Sequence, residues 1–113
     1  MIIAVDFDGT IVEHKFPDIG EERLGAVETL KWMQSESHKV IIWTCRNGAR
    51  LASMMNWLKE QGFTPDAVNS NIAHCPGFAV PKILADIYID DRNLGGIPPW
   101  NIIRKVLSDG NTL

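Results

Sequence analysis

The chain is poor in cysteine, with two residues in 113, and its apolar runs are short. Two cysteines, Cys45 and Cys75, cannot build a disulfide framework, so they read as free thiols of a reducing compartment. The longest apolar stretches, Met1 to Val5 and Val40 to Trp43, fall far short of the ~20 residues of a membrane span. No charged leader with a long apolar stretch opens the chain, and the expected location is cytoplasmic. Basic charge is also scarce: 11 Lys and Arg against 14 Asp and Glu leave a net charge of −3. That balance argues against a general nucleic-acid surface and leaves room for a local phosphate site. There is no basic aromatic stripe, no Gly-rich dinucleotide fingerprint, no repeat and no Ser/Gly linker.

What is present, 45% hydrophobic and 22% charged residues, describes one ordinary domain over residues 1–113. Short apolar runs alternate with longer periodic segments. Met1 to Val5 predicts a strand covered on both faces, ending at Asp6. A loop or small hairpin follows over residues 11–20. A helix is expected from about Glu21 to Ser35, with Asp18 and Glu21 as a capping box and Leu24, Val27, Leu30, Trp32 and Met33 on its apolar side. Val40 to Trp43 reads as the second strand. Asn47 is placed to cap a helix through Leu51, Met54, Met55 and Leu58 that stops at Gly62. A weak third strand is expected near Ala67 to Asn69, then a loop from Ser70 to Pro81. Ile83 to Ala85 and Ile87 to Ile89 form the fourth strand, and Pro98 and Pro99 open a last helix from Trp100 to Leu107, ended by Gly110. This rhythm predicts an α/β fold, a three-layer doubly wound parallel sheet with ligands at the carboxyl ends of its strands.

Polar groups collect at those ends: Asp6 and Asp8 after the first strand, Thr44 and Arg46 after the second, Asp90 and Asp91 after the fourth, with Lys82 shortly before. Four carboxylates in one small volume repel unless a cation sits among them, and hard oxygen donors suit Mg²⁺. With Lys82 beside them they describe a receptor for a phosphoryl group.

These residues resemble the haloacid dehalogenase (HAD) superfamily of aspartyl-phosphate phosphatases. Asp6-Phe7-Asp8-Gly9-Thr10 is similar to its DxDGT motif, Thr44 to the second motif, Lys82 to the third and Asp90-Asp91 to the paired acids of the fourth. The resemblance covers residues 2 to about 93. It implies that Asp6 is the nucleophile and that Asp8 is the general acid and base. Thr44 and Lys82 would hold phosphoryl oxygens. Mg²⁺ would be bound by Asp6, the backbone carbonyl of Asp8, and the Asp90-Asp91 pair, with Asp91 direct and Asp90 through water. Gly9 would permit the turn beside the phosphate, and Gly9 and Thr10 would be support. Arg46 reads either as a contact to the leaving group or as a surface charge.

Other readings have less behind them. A calcium loop starting at Asp6 would need glycine and an acid where Ile11 and Pro17 stand. His74-Cys75 offers two metal ligands without a second pair. A receiver-type signalling domain also surrounds a phosphorylated Asp with Mg²⁺, Thr and Lys, but its acid pair comes first in the chain, whereas here the pair comes last. A catalytically silent binding domain has no support in the filled motif positions. The intervals after the first motif, Ile11 to Ile19, and between the second and third are too short for a lid domain. The substrate is therefore a phosphorylated compound of undetermined size. The site is either covered in a homo-oligomer, through Glu13 to Ile19 or Ser70 to Val80, or open in a monomer serving a large substrate.

Overall fold

A computed structural model of the chain describes residues 1–72 and 81–109; His74, Cys75 and Gly110 lie outside them. Four strands, β1 (Ile2–Val5), β2 (Lys39–Ile42), β3 (Ala67–Val68) and β4 (Ile87–Ile89), form an all-parallel sheet in the order β3-β2-β1-β4. Three helices, α1 (Ala26–Ser35), α2 (Gly48–Glu60) and α3 (Trp100–Ser108), complete the described elements. Among the described residues no helix is long and apolar enough to cross a membrane.

The topology dictates which face each connection covers. Two successive right-handed crossovers, β1-α1-β2 and β2-α2-β3, move the same way along the sheet and so put α1 and α2 on one face. Of the chain between β3 and β4, the described Ile72, Ile83 and Ala85 pack on the other face. Period-two alternation separates the two cores accordingly. Ile3, Val5, Val40, Ile42 and Ile89 pack with Leu30 and Met33 of α1, Met54 and Leu58 of α2, and Trp100 and Ile103 of α3. Ala4 and Ile41 point the opposite way, against Ile83, Ile72 and Tyr88. The second face is thus covered, among the described residues, by irregular chain rather than helix.

Several boundaries differ from the sequence expectation. The first helix begins at Ala26 rather than Glu21, because residues 11–13 and 21–23 pair first: Glu13 N–H donates to Glu21 O (2.8 Å), and Arg23 N–H to Ile11 O (2.8 Å). The expected Asp18–Glu21 capping box is replaced by the Glu22 carboxylate, which accepts from Val27 N–H at 3.0 Å. Leu24, assigned to the buried side, lies before the helix and is 96% exposed. Trp43 falls just past the end of β2, and Ile83 to Ala85 precede β4 without joining it. Asn47 does occupy the N-cap of α2, with no capping bond from its side chain.

Candidate active site

The ends of the adjacent strands β2, β1 and β4 are level. Val5 is in register with both Ile42 and Ile89, and the pairing runs one residue further, with Trp43 N–H donating to Val5 O and Asp6 N–H to Ile89 O, both at 2.9 Å. Asp6, Trp43 and Asp90 therefore leave the sheet side by side, at the edge where ligands of open α/β sheets bind. The strand order reverses between β1 and β4, which makes the gap between Asp6 and Asp90 the switch point.

After Asp6 the chain turns tightly. Thr10, Ile11 and Val12 N–H all point at Phe7 O, at 3.2, 2.9 and 3.3 Å, and Gly9 N–H donates to Val12 O at 2.8 Å. Phe7 anchors the turn by its buried ring, edge-on to Trp57 at 5.7 Å. Gly9 is required twice over. Its φ of +84° suits glycine, and a Cβ there would collide with the Asp91 carboxylate, 2.8 Å from its Cγ. Helix α3 holds the turn from behind, Trp100 Nε1–H donating to Thr10 O at 2.9 Å.

Asp6, Asp90 and Asp91 each offer an oxygen, and the three oxygens lie within 4.8 Å of one another. Thr10 joins them. Its hydroxyl accepts from Asp91 N–H at 3.0 Å and lies 3.1 Å from Asp6 Oδ2 and 3.4 Å from Asp91 Oδ1, so its single proton serves one carboxylate at a time. Among the described residues no Lys, Arg or His forms an ion pair with any of the three. Burial, followed by the charge of Asp90 and the hydrogen bond to Asp91, pushes the Asp6 carboxyl from 3.8 up to about 7, against a smaller lowering by the Thr10 hydroxyl.

Asp8 stands apart from this trio. Its carboxylate takes a two-pronged bond from Arg46, with Nε to Oδ2 at 2.7 Å and Nη2 to Oδ1 at 2.8 Å. Arg46 is only 2% exposed, so the surface-charge reading is excluded. Its remaining protons go to Pro17 O (3.3 Å), Asp18 O (2.9 Å) and Arg50 O (3.4 Å), and its guanidinium sits 5.4 Å from the Phe7 ring centre and 5.1 Å from that of Phe16. One side chain thereby ties Asp8 to the 13–19 segment and to the start of α2.

Thr44 is fixed at the next strand end: its N–H donates to Asn69 Oδ1 at 2.7 Å and its hydroxyl accepts from Arg46 N–H at 3.1 Å. A cavity of about 460 Å³ opens here, lined by Asp6, Asp8, Asp90, Thr44 and Arg46 together with His14, Phe16, Trp43, Cys45 and Arg92. Lys82 is not in its wall; its exposed ammonium lies 5.9 Å from the centre of the Tyr88 ring. Asp6, Asp8, Gly9, Thr44, Arg46, Asp90 and Asp91 are therefore gathered at one edge, while Lys82 stands on the second face.

Thr10, expected only as support, links the acids. The sequence reading passed over other neighbours: Asn69, at the end of β3 with φ +52°, positions Thr44. The strand-end rule that found Thr44 applies equally to Asn69. Phe16 and His14 carried no signal beyond their residue types in a loop of mixed polarity.

A solved structure from Bacteroides thetaiotaomicron, described as that of a conserved protein coded by a locus of that organism, is similar to this chain. The two are 48% identical with a TM-score of 0.90, covering 97% of this chain and 91% of that one. No protein-family model matches the sequence, and no curated protein does.

Proposed function

The chain belongs to the same family as that conserved Bacteroides thetaiotaomicron protein, and from its acidic edge we propose a Mg²⁺-dependent phosphatase of the haloacid dehalogenase type, hydrolysing phosphate monoesters through a phosphoryl group carried on Asp6. The observation behind this is the meeting of the Asp6, Asp90 and Asp91 oxygens within 4.8 Å, beside a cavity that also contains Thr44 and Asp8.

The donor set fits the metal. Three hard carboxylate oxygens with, among the described residues, no ion pair to a cationic side chain suit Mg²⁺, and the raised Asp6 marks the charge that a cation would relieve. Asp6, Asp91, Asp90 and the Asp8 carbonyl would hold it. Bound there, Mg²⁺ would neutralise charge between the attacking carboxylate and the phosphoryl oxygens.

The remaining chemistry belongs to the chain. Asp6 attacks phosphorus and the ester oxygen departs, taking a proton from Asp8. The Arg46 fork fixes the plane of the Asp8 carboxylate and leaves a lone pair on each oxygen for that proton. Water then attacks the phosphoryl group on Asp6 while Asp8 takes its proton, and Asp6 is regenerated. The Thr44 hydroxyl donates to a phosphoryl oxygen. Lys82 lies over Tyr88, whose ring is 5.9 Å from that of Trp43 in the cavity wall, and its flexible stem would swing the ammonium to a second oxygen.

On the same reading the sheet is a doubly wound core whose third layer is, among the described residues, irregular chain, and the protein works in the cytoplasm. The 13–19 segment is bound to this chain's own Arg46, so it covers the site in cis, and a homo-oligomer would add to that cover.

Hydrolysis of a generic aryl phosphate tests the proposal. Turnover should require Mg²⁺, vanish with excess chelator, return on adding Mg²⁺ and be poorly supported by Ca²⁺. Full activity in excess chelator would overturn it.

A further inference from the structure

We infer that the cavity beside Asp6 takes phosphate monoesters whose alcohol carries a planar base, nucleoside monophosphates, with the Phe16 and Trp43 rings as its stacking surface. This rests on the phosphatase reading for the position of the phosphoryl group; the base site itself rests on the aromatic rings.

Phe16 is 51% exposed and Trp43 42%, and both line the cavity that contains Asp6 and Asp8. Single exposed apolar side chains are ordinary, but two large rings in the wall of the cavity that contains Asp6 and Asp8 point to a ligand with an apolar face. Both rings are held on one side. The Arg46 guanidinium, buried and fixed by its own hydrogen bonds, lies 5.1 Å from the Phe16 ring centre. Trp43 rests on Tyr88, ring centres 5.9 Å apart, and the Tyr88 hydroxyl is anchored on Ile83 O. Rings fixed in this way lose little freedom when a ligand stacks on them.

Position and size agree. Trp43 follows β2 at the level where Asp6 follows β1, one strand spacing away, roughly 5 Å. An ester with its phosphorus at Asp6 therefore extends its alcohol along Trp43. The 460 Å³ volume exceeds what a phosphoryl group fills and falls in the range of small-ligand pockets, about 300–1,000 Å³. His14 and Arg92 in the same wall supply polar groups for a sugar or base edge. The net charge of −3 disfavours a long polyanion, so the occupant is a mononucleotide rather than the end of a nucleic acid.

Adenosine 5′-monophosphate and ribose 5-phosphate provide the test, since both release a primary 5′ alcohol and differ in the base. With Mg²⁺, KM for the nucleotide should be lower by on the order of tenfold. Trp43→Leu, which keeps apolar bulk without a π face, should bring the ratio of the two KM values towards one, and Trp43→Phe should retain most of it. Independently of turnover, with Mg²⁺ present the nucleotide should shift the Trp43 indole N–H resonance of Asp6→Asn, assigned by its loss when Trp43→Phe is added, and ribose 5-phosphate should not. Equal KM values with both esters hydrolysed would overturn the base site and leave the phosphatase standing. A nucleotide-specific shift without hydrolysis of any ester would support the base site and overturn the phosphatase. Absence of that shift, or tighter use of phosphotyrosine or of a 5′-phosphorylated oligonucleotide, would overturn the inference.

Discussion

Asp6 and Asp8 leave the same strand end two residues apart, and their surroundings are electrostatic opposites. On the β4 side, Asp6 faces two further carboxylates within 4.8 Å and its proton is retained up to about pH 7. On the β2 side, Asp8 has a buried guanidinium of its own at 2.7 Å. Identical side chains on one short turn are given different electrostatic surroundings by what the neighbouring strands bring to them. On the β4 side carboxylates gather with no ion pair to a described cationic side chain, whereas the β2 side is neutralised by the chain itself.

Removing the built-in cation should break this contrast with the largest effect on folding. Arg46→Met leaves Asp8 without its partner and frees the Pro17 and Asp18 carbonyls, costing about 3 kcal/mol, the lower end for a broken buried pair because the Asp8 side chain keeps 14% exposure. Urea denaturation measures it, and the double variant Arg46→Met with Asp8→Leu should recover part of the loss. A cost below about 0.5 kcal/mol would show that the pair does not organise the turn.

Gly9→Ala sharpens the other side. The added methyl presses on the Asp91 carboxylate from a backbone at φ +84°, so the chain should lose about 1 kcal/mol or more of stability. Mg²⁺ affinity, read by calorimetry, should fall more sharply than it does in Arg46→Met. Equal losses of affinity in the two variants would erase the distinction between the sides.

The last contrast lies in the pH dependence of stability. Asp6 has a folded pKa of about 7 against an ordinary 3.8, so between about pH 4 and pH 7 the folded, metal-free chain keeps a proton that the unfolded chain has released. Stability must then fall as pH rises across that window and level off above it. Compared with Asp6→Asn, the wild-type chain should show this extra decline in chelator and lose it in Mg²⁺. A wild-type curve parallel to that of Asp6→Asn in chelator would contradict the assignment.

Much of the site was readable from sequence because parallel strands end on one side. Apolar runs closed by Asp6, Thr44 and Asp90 sufficed to bring distant residues to one edge. The Arg46–Asp8 pair was not readable, because whether an arginine after a strand turns outward or inward depends on the carbonyls of Pro17 and Asp18, which the chain supplies only once the 13–19 segment has folded back. The helix start was misplaced for a similar reason: Asp18 and Glu21 have the spacing of a capping box, but pairing of residues 11–13 with 21–23 uses that backbone first. Leu24 matched a helical period by position alone and lies in solvent. Lys82 had the right order along the chain, while its place over Tyr88 is set by the described non-helical residues 81–86 before β4, which no periodic pattern encodes.

The most direct test of the division between the two carboxylates is to trap the phosphoryl group. Rapid quench of Asp8→Asn with an aryl phosphate and Mg²⁺ should recover phosphate bound covalently to Asp6, since the good leaving group needs no acid and hydrolysis of the adduct needs the missing base. Asp6→Asn should yield no adduct and should lose turnover by several powers of ten. Near-normal turnover in Asp6→Asn would contradict the account and assign the attack on phosphorus to water instead.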